Sequence, residues 1–505
     1  MITLSIMLAT IMQTLDSTIA NVALPHMQGT FSAAQDQIAW VLTAYIVAAA
    51  IATPLTGWFV DRFGQKTIFL ASIGGFTIAS MLCGLSNSLA EIVLARLLQG
   101  MFGAALVPLS QMVIMEINPP EKQGHAMAIW GMGVMVGPIL GPTLGGWLTD
   151  SYSWRWVFFI NVPIGIFAFY GMSRFIHPTP AARRTRFDLF GFATLSLAVG
   201  ALQLLLDRGE QNDWFSSTEC WLEAIVALVA ATYFAAHTLM TPAQRSFVDF
   251  RLFRNQNYIT GVIFIFIVGL VLYATRALIP TMLESLLGYP VATTGLVTAP
   301  SGIGTMLAML FVGRLVGKVD LRVILFVGFA ISALALWLMA LYNLDLSEGD
   351  IIWPGVIQGI GMGLVFVPLS AATFATLDVT MRAQGTALFS LVRNVGSSIG
   401  ISMVQALLIR GTAVAHAAMV ERITSSSAAW NNPAVSRAYD VGVPAGAAFL
   451  DAEVTRQAGM LAYIDDFWLM LFLTVAVIPL VLLIRPPRRR RPNDPQLQAE
   501  AAVID

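Results

Sequence analysis

Gly57-Trp-Phe-Val-Asp61-Arg62-Phe-Gly64-Gln-Lys66 joins two long apolar runs, and Gly313-Arg314-Leu-Val-Gly317-Lys318-Val-Asp320-Leu-Arg322 joins two more. Each sets a glycine near the end of one run, a short basic loop, and the start of the next run. Outward from both, apolar runs follow one another along almost the whole chain. A helix needs about 20 mostly apolar residues to cross the hydrocarbon core of a bilayer. Fourteen runs qualify, near 2–23, 37–60, 67–86, 90–111, 125–148, 155–176, 188–206, 220–240, 258–281, 292–316, 322–342, 351–375, 385–410 and 467–484. They are too long and continuous for the ~10-residue alternating strands of a membrane barrel. The composition agrees. Of 505 residues, 57% are hydrophobic and 11% charged, with mean hydropathy +0.74, where a soluble domain carries about 25% charged residues. The chain reads as an all-α polytopic membrane protein, which argues against a secreted protein or a conventional soluble enzyme.

The formal net charge of −1 offers no basic field for nucleic acid. Cys83 and Cys220 each lie in or beside an apolar run, in no metal-ligand spacing, and read as buried thiols. The five histidines are scattered, no Walker A motif is present, and no nucleophile–base pattern stands out. No cofactor or metal site is expected. The first run is long, lacks a basic flank and contains Asp16, so it reads as a retained span and not as a signal peptide. Its abrupt start leads to the expectation of a few further residues before Met1.

Lys and Arg orient the spans. One alternate set of loops holds Arg62, Lys66, Lys122, Arg183, Arg184, Arg186, Arg245, Arg251, Arg254, Lys318, Arg322 and Arg382, together with the tail from Arg485 to Arg491. The other short loops hold almost none, Arg208 excepted. Both termini are therefore expected on the cytoplasmic side, as an even span count requires. One loop on the other side is long, 411–466, and Gly446 to Ile464 is patterned as an amphipathic helix on the outer membrane face or on a partner, a disordered connector being the alternative.

The chain also looks duplicated. Gln99-Gly100 with Val107-Pro108-Leu109-Ser110 in the fourth run is echoed by Gln358-Gly359 with Val367-Pro368-Leu369-Ser370 in the twelfth. The division that follows is a six-helix half at 1–186, an inserted pair at 187–256, a second half at 257–485 and a basic tail at 486–505. Paired halves with a site between them near the midplane describe a rocker-type secondary transporter.

These residues resemble the fourteen-span drug/proton antiporters of the major facilitator superfamily, and in particular the EmrB-like multidrug exporters. The resemblance rests on Leu15-Asp16-Ser17-Thr18 through Pro25, on Gly57 to Lys66, on Leu94 to Gly100, on Gly133 to Gly146, and on Trp154-Arg155-Trp156 with Asn161-Val162-Pro163. It implies the major facilitator fold, with two pseudo-symmetric halves plus two inserted helices. It implies a bacterial cytoplasmic (inner) membrane setting. It also implies partners: a periplasmic adaptor and an outer-membrane channel, with 411–466 as the contact.

Intramembrane charges mark function, because each costs at least ~2.5–3.5 kcal/mol at the helix centre. Asp16 reads either as a proton carrier or as a structural carboxylate bonded to Ser17, Thr18 or Asn21. Arg96 is a fixed positive charge that either switches Asp16 by its distance or holds two spans together. Glu284, beyond Pro280, is a second proton-site candidate or a solvated acid, with Arg276 as its possible partner. The resemblance assigns Gly57, Asp61, Arg62, Gly64 and Lys66 to a cytoplasmic gate. It assigns Gly133, Gly137, Pro138, Gly141, Pro142, Gly145 and Gly146 to a closely packed, kinked antiporter-motif helix. Asn21, Gln99, Gln358, Arg393 and Asn394 are the expected cavity lining. Together these imply a proton-driven exporter of hydrophobic or amphipathic toxic compounds. A dedicated exporter of one metabolite is the alternative, and a channel or non-transporting sensor a remote one.

Overall fold

Inside hydrocarbon no water satisfies the backbone, so each apolar run must close its own hydrogen bonds as a helix. The computed structural model describes residues 2–176, 187–242, 245–378, 381–423, 439 and 443–484. Among them no strand occurs. The helices are α1 (Ile2–Phe31), α2 (Gln35–Ile38), α3 (Trp40–Ala52), α4 (Leu55–Phe63), α5 (Gln65–Leu85), α6 (Leu89–Gly103), α7 (Leu106–Ile117), α8 (Pro120–Ser151), α9 (Trp156–Phe159), α10 (Asn161–Phe175), α11 (Leu189–Arg208), α12 (Thr218–Met240), α13 (Gln256–Ser285), α14 (Val291–Leu315), α15 (Leu321–Met339), α16 (Glu348–Phe374), α17 (Arg382–Val420) and α18 (Pro444–Val477). Polar caps mark where several of them start. Ser88, Asp188, Asn255, Asp320 and Ser347 each accept a backbone N–H from the first turn.

Thirteen helical stretches among the described residues are long and apolar enough to span a membrane, or fourteen when the bent pair α3–α4 counts as one span. The second run is thus not one straight helix. It bends by 55° between Ala52 and Leu55, where Pro54 lacks the N–H that would continue the ladder.

The long loop expected at 411–466 is corrected. α17 continues to Val420, and α18 begins at Pro444 and runs unbroken into the last span. The patterned stretch does not lie on the membrane face. Val454, Ala458 and Ala462 are buried, and Gly411 of α17 and Leu286 beyond α13 meet Ala462 and Gly459. Arg183, Arg184, Arg186, Trp430, Pro433 and the tail from Arg485 lie outside the described residues.

The packing repeats. α1 packs on α8 and α10, as α13 packs on α17 and α18. α3 packs on α6 as α14 does on α16, and α5 packs on α6 and α10 as α15 does on α16 and α18. Two seams join the sets, α8 against α14 and α4 against α17. α11 lies over one seam, in contact with both α3 and α17. Thr43 donates to Asp207 from one side, while Ser398 and Ser402 donate to Gln203 and the Leu206 carbonyl from the other. α12 packs mainly on α11, and only 11% of its apolar window is buried, so its remaining surface faces lipid.

The glycines of α8 form a stripe four residues apart. A Cβ on Gly133 would meet Met7 at 3.2 Å, one on Gly137 the Thr14 carbonyl carbon at 2.4 Å, one on Gly141 Thr18 Oγ1 at 2.1 Å, and one on Gly145 Ile19 Cγ1 at 2.9 Å. The two backbones touch there, and Thr18 Oγ1 donates to the Gly137 carbonyl at 3.1 Å. Pro138 and Pro142 lie inside a helix that runs on through both of them. Gly146, off the stripe, has only Val22 at 4.0 Å. Gly137→Ala must push backbone from backbone. It should cost about 1–3 kcal/mol, read as a lowered Tm of the purified protein. Gly146→Ala should leave Tm unchanged or raise it; equal losses at both positions would remove the stripe's special role.

Candidate functional site

Asp16 is completely buried in α1 and meets three donors. Arg96 Nη1 donates to Oδ2 at 2.6 Å; Gln99 Nε2 and Asn161 Nδ2 each donate to Oδ1 at 2.8 Å. All three neighbours donate, which suits the acceptor-only chemistry of an ionised carboxylate. Arg96, 1% exposed, is held on its other edges. Its Nε donates to the Val41 carbonyl at 3.1 Å, Nη1 also reaches Gln99 Oε1, and the cation lies 4.2 Å from the centre of the Tyr45 ring. Asn161 Nδ2 is shared with Ser80 Oγ, which in turn donates to the Phe158 carbonyl. The network therefore ties α1, α3, α5, α6 and α10 together.

The structural partners expected for Asp16 are not those found. Ser17 donates to the Thr14 carbonyl, and Thr18 to backbone carbonyls of α1 and α8. Gln99, expected in the cavity wall, is instead fully buried against Asp16. Residues 14, 16 and 18 thus use the same two turns of α1 in two directions. Asp16 faces Arg96, and Thr14 and Thr18 face the glycine stripe of α8.

α8 and α1 together border a cavity of about 410 Å³. Its wall includes Asn21 of α1, Pro138 and Pro142 of α8, Glu284 of α13, Thr298 of α14 and Gln358 of α16. Gln358 Nε2 donates to Thr275 Oγ1 at 3.1 Å. Leu272, Tyr273, Arg276 and Thr305 continue the wall into a floor crevice of about 20 Å³, where Arg393 lies with Met309, Met362 and Phe366. Asn394 is not in the wall of either space and accepts from Arg393. Glu284 is exposed at the mouth, and no ion pair joins it to Arg276 among the described residues.

The cavity sits where α13 ends and α14 and α16 begin. The opposite end, which carries the basic loops, is closed. A Cβ on Gly57 would lie 3.0 Å from Gln384 Cα at the start of α17, and one on Gly313 would lie 2.6 Å from Ala128 Cβ near the start of α8. The first glycine of each repeated loop thus closes one seam. Gln384 also donates to the Phe247 carbonyl and accepts from Asp249 N. Gly64 and Gly317 turn the chain with φ of 82° and 90°, a region that favours glycine. Lys66 and Arg322, the tenth residue of each repeat, work within one helix set. Lys66 Nζ donates to the Ser173 and Ile176 carbonyls at the end of α10, and Arg322 Nε to the Ile484 carbonyl beyond α18. Arg62 is exposed and enters no ion pair among the described residues.

Two residues were missed from sequence. Asn161 was visible only as part of a motif, though an asparagine in an apolar run is itself a signal. Asp466 of α18 is 2% exposed, and its buried Oδ2 has no hydrogen-bond partner among the described residues. Removing one partner of a buried pair strands the other charge, at about 3–5 kcal/mol. Arg96→Met should therefore unfold at much lower temperature than wild type, and adding Asp16→Asn should recover most of the loss. A double variant no more stable than Arg96→Met would show that the stranded carboxylate is not the cause.

The family model of the Major Facilitator Superfamily matches residues 6–401. The chain is 36% identical over 489 residues to the fatty acid resistance protein FarB of Neisseria gonorrhoeae, covering 96% of both chains. It is 33% identical over 493 residues to the multidrug export protein EmrB of Escherichia coli strain K12, covering 96% of this chain and 95% of that one. Among solved structures, the human organic anion transporter MFSD10 (TETRAN) superposes with a TM-score of 0.60 at 12% identity, over 94% of this chain and 98% of the other, which speaks to the fold alone. The chain belongs to the Major Facilitator Superfamily and is a multi-pass membrane transporter, not an enzyme.

Proposed function

We propose that the chain is a proton-driven exporter of hydrophobic or amphipathic toxic compounds, working by alternating access between residues 1–186 and 257–485, with 187–256 as an inserted pair. One observation carries the reading: Asp16, paired with Arg96 of α6, lies on the same two turns of α1 that pack on α8, and α8 lines the cavity. A proton on Asp16 removes its charge and replaces an acceptor with a donor. Arg96 then loses its counter-charge and Gln99 and Asn161 face a changed acceptor set. α1 shifts to accommodate them, and α8 shifts with it because the glycine stripe holds the two helices in close contact, backbone to backbone at Gly137. Proton state and cavity shape thereby become one equilibrium.

The relatives' names supply the cargo class: multidrug export for EmrB and fatty acid resistance for FarB. The repeated packing supports two halves that rock, and the sealed basic end with an open cavity opposite corresponds to an outward-facing state. We place the chain in the bacterial inner membrane on its likeness to bacterial exporters, with both termini cytoplasmic on the strength of its loop charges. A periplasmic adaptor feeding an outer-membrane channel is part of the proposal. α17 has 39 residues, roughly 58 Å at 1.5 Å each, longer than the ~30 Å hydrocarbon core. Its far end and the start of α18 present Val414, Val420 and Phe449 as exposed apolar surface for such a partner.

In proteoliposomes with an imposed pH gradient, wild type should move a fluorescent hydrophobic dye uphill. Asp16→Asn should bind the dye within about twofold of wild type yet move it only downhill. Normal uphill transport by Asp16→Asn would assign coupling to another carboxyl, Glu284 first. A bulky residue at either seam glycine should bias the basic end open. Gly57→Leu and Gly313→Leu should each speed hydrogen exchange at residues 313–318 several-fold, and unchanged exchange would remove the glycines from the gate.

A further inference from the structure

The two helix sets build the same place differently. In the first, Gln99 of α6 donates to Asp16 of α1, which also accepts from Asn161 of α10. In the second, Gln358 of α16 donates to Thr275 of α13, and Met470 Sδ of α18 lies 3.4 Å from the Thr275 hydroxyl. Equivalent helices supply each trio, and Asp16 and Thr275 both stand 83 residues before their glutamine. A glycine follows each glutamine and lets the next helix press close. A Cβ on Gly100 would lie 2.4 Å from the Tyr45 carbonyl oxygen of α3, and one on Gly359 would lie 2.0 Å from the Ser301 carbonyl oxygen of α14. Tyr45 and Ser301 are therefore counterparts. So are Arg96 and Gly355, each three residues before the glutamine.

These replacements empty the second copy. In the first, the Arg96 side chain fills the space between Asp16, Gln99 and the Tyr45 ring. In the second, the arginine is a glycine, the tyrosine a serine and the carboxylate a hydroxyl. A Cβ on Gly355 would meet only Ser301 Cβ, at an ordinary 3.5 Å. Gly355, Ser301, Thr275 and Gln358 all line the 410 Å³ cavity. The cavity thus opens where the other copy holds a guanidinium. One polar group is left waiting there. Gln99 Oε1 accepts from Arg96 Nη1, whereas Gln358, only 6% exposed, receives no donor on its Oε1 among the described residues. Its Nε2 is committed to Thr275, which fixes the amide with that oxygen free. A secluded carbonyl oxygen gains from any donor that enters. We propose that this vacated copy is the polar subsite of the cavity: it takes a neutral hydrogen-bond donor of the cargo, a hydroxyl or an amide-type N–H, which donates to Gln358 Oε1 and lies over Gly355. A cationic donor is disfavoured, because Arg276 stands in the same wall beside Thr275 and no carboxylate takes the place of Asp16. This inference rests on the exporter reading and adds where, and by which bond, a cargo is held.

The test separates the two. The full chain in detergent, with no gradient, is titrated with the fluorescent probe N-dodecyl dansylamide, whose sulfonamide N–H donates, and with its N-methyl derivative, which has no donor. Wild type should bind the N–H probe about five- to tenfold tighter, the range one net hydrogen bond supplies. Gln358→Leu should erase that preference by weakening the N–H probe, with the N-methyl probe within about twofold of wild type. Gly355→Met puts a side chain where Arg96 lies in the first copy. It should weaken both probes roughly tenfold or more at an unchanged Tm; should it not fold, Gln358→Leu decides alone. Equal binding of the two probes by wild type would overturn the proposal, as would a preference that survives Gln358→Leu. Equal loss of both probes in Gln358→Leu would make the residue part of the wall and not an acceptor. Selective binding without gradient-driven transport in proteoliposomes would instead sink the exporter reading while leaving the subsite standing.

Discussion

A carboxylate and a guanidinium locked together inside a membrane set the terms for everything around them. Neither Asp16 nor Arg96 has water to lean on, since both are almost fully buried. Each must be satisfied by fixed neighbours, and the chain supplies them from five helices. The arrangement stabilises little compared with a well-packed apolar core of the same volume. Its value lies elsewhere. A group that exchanges a proton and is coordinated by several helices changes what those helices must do when its charge changes. An apolar core has no such handle.

The second constraint is closeness. Where α1 meets α8, and where each repeated loop closes a seam, glycine brings backbone against a neighbour with no intervening side chain. Membrane helices gain no hydrophobic driving force from meeting one another, so close approach and polar contact do the work. The same absence of side chains makes these contacts stiff. Movement of α1 is passed to α8 undamped, and a seam closed by glycine parts cleanly without breaking a hydrophobic cluster. Lys66 and Arg322 do the opposite job, holding each six-helix set together at its last helix.

Much of this was legible before any coordinates. Apolar length gave the spans, and a lone aspartate in an apolar run announced itself because hydrocarbon tolerates so few. The duplicated loops pointed to paired halves, and their first and tenth residues recur in equivalent contacts. Arg96, 80 residues from Asp16, was read as its partner from charge alone, since no local period reports a contact at that range. Other features were not legible, for physical reasons. Gln99 shares a face with Arg96, yet which face meets Asp16 depends on how α6 rotates in the bundle. That α17 runs on to Val420 and the last span begins at Pro444 was not legible, because 411–420 and 444–466 mix charge with alanine at low hydropathy, although 446–464 carries a helical pattern. Alanine is nevertheless the strongest helix former, and burial against neighbouring helices decides the matter. Asn394 went the other way, polar enough to suggest a wet wall but turned toward Arg393.

The pseudo-symmetry of the bundle is broken at one place, and that asymmetry has a geometric consequence. α11 bonds to α3 on one side and α17 on the other, and α12 lies outside it. The inserted pair stands across the α4–α17 side of the bundle, while the described residues place no comparable pair over α8 and α14. A molecule already dissolved in the bilayer therefore meets two different flanks. One is shielded by two helices and the other is bare. A molecule in the bilayer therefore reaches the α8–α14 seam without passing an inserted pair, and one of the two helices it meets there is α8, which packs on the helix that carries Asp16.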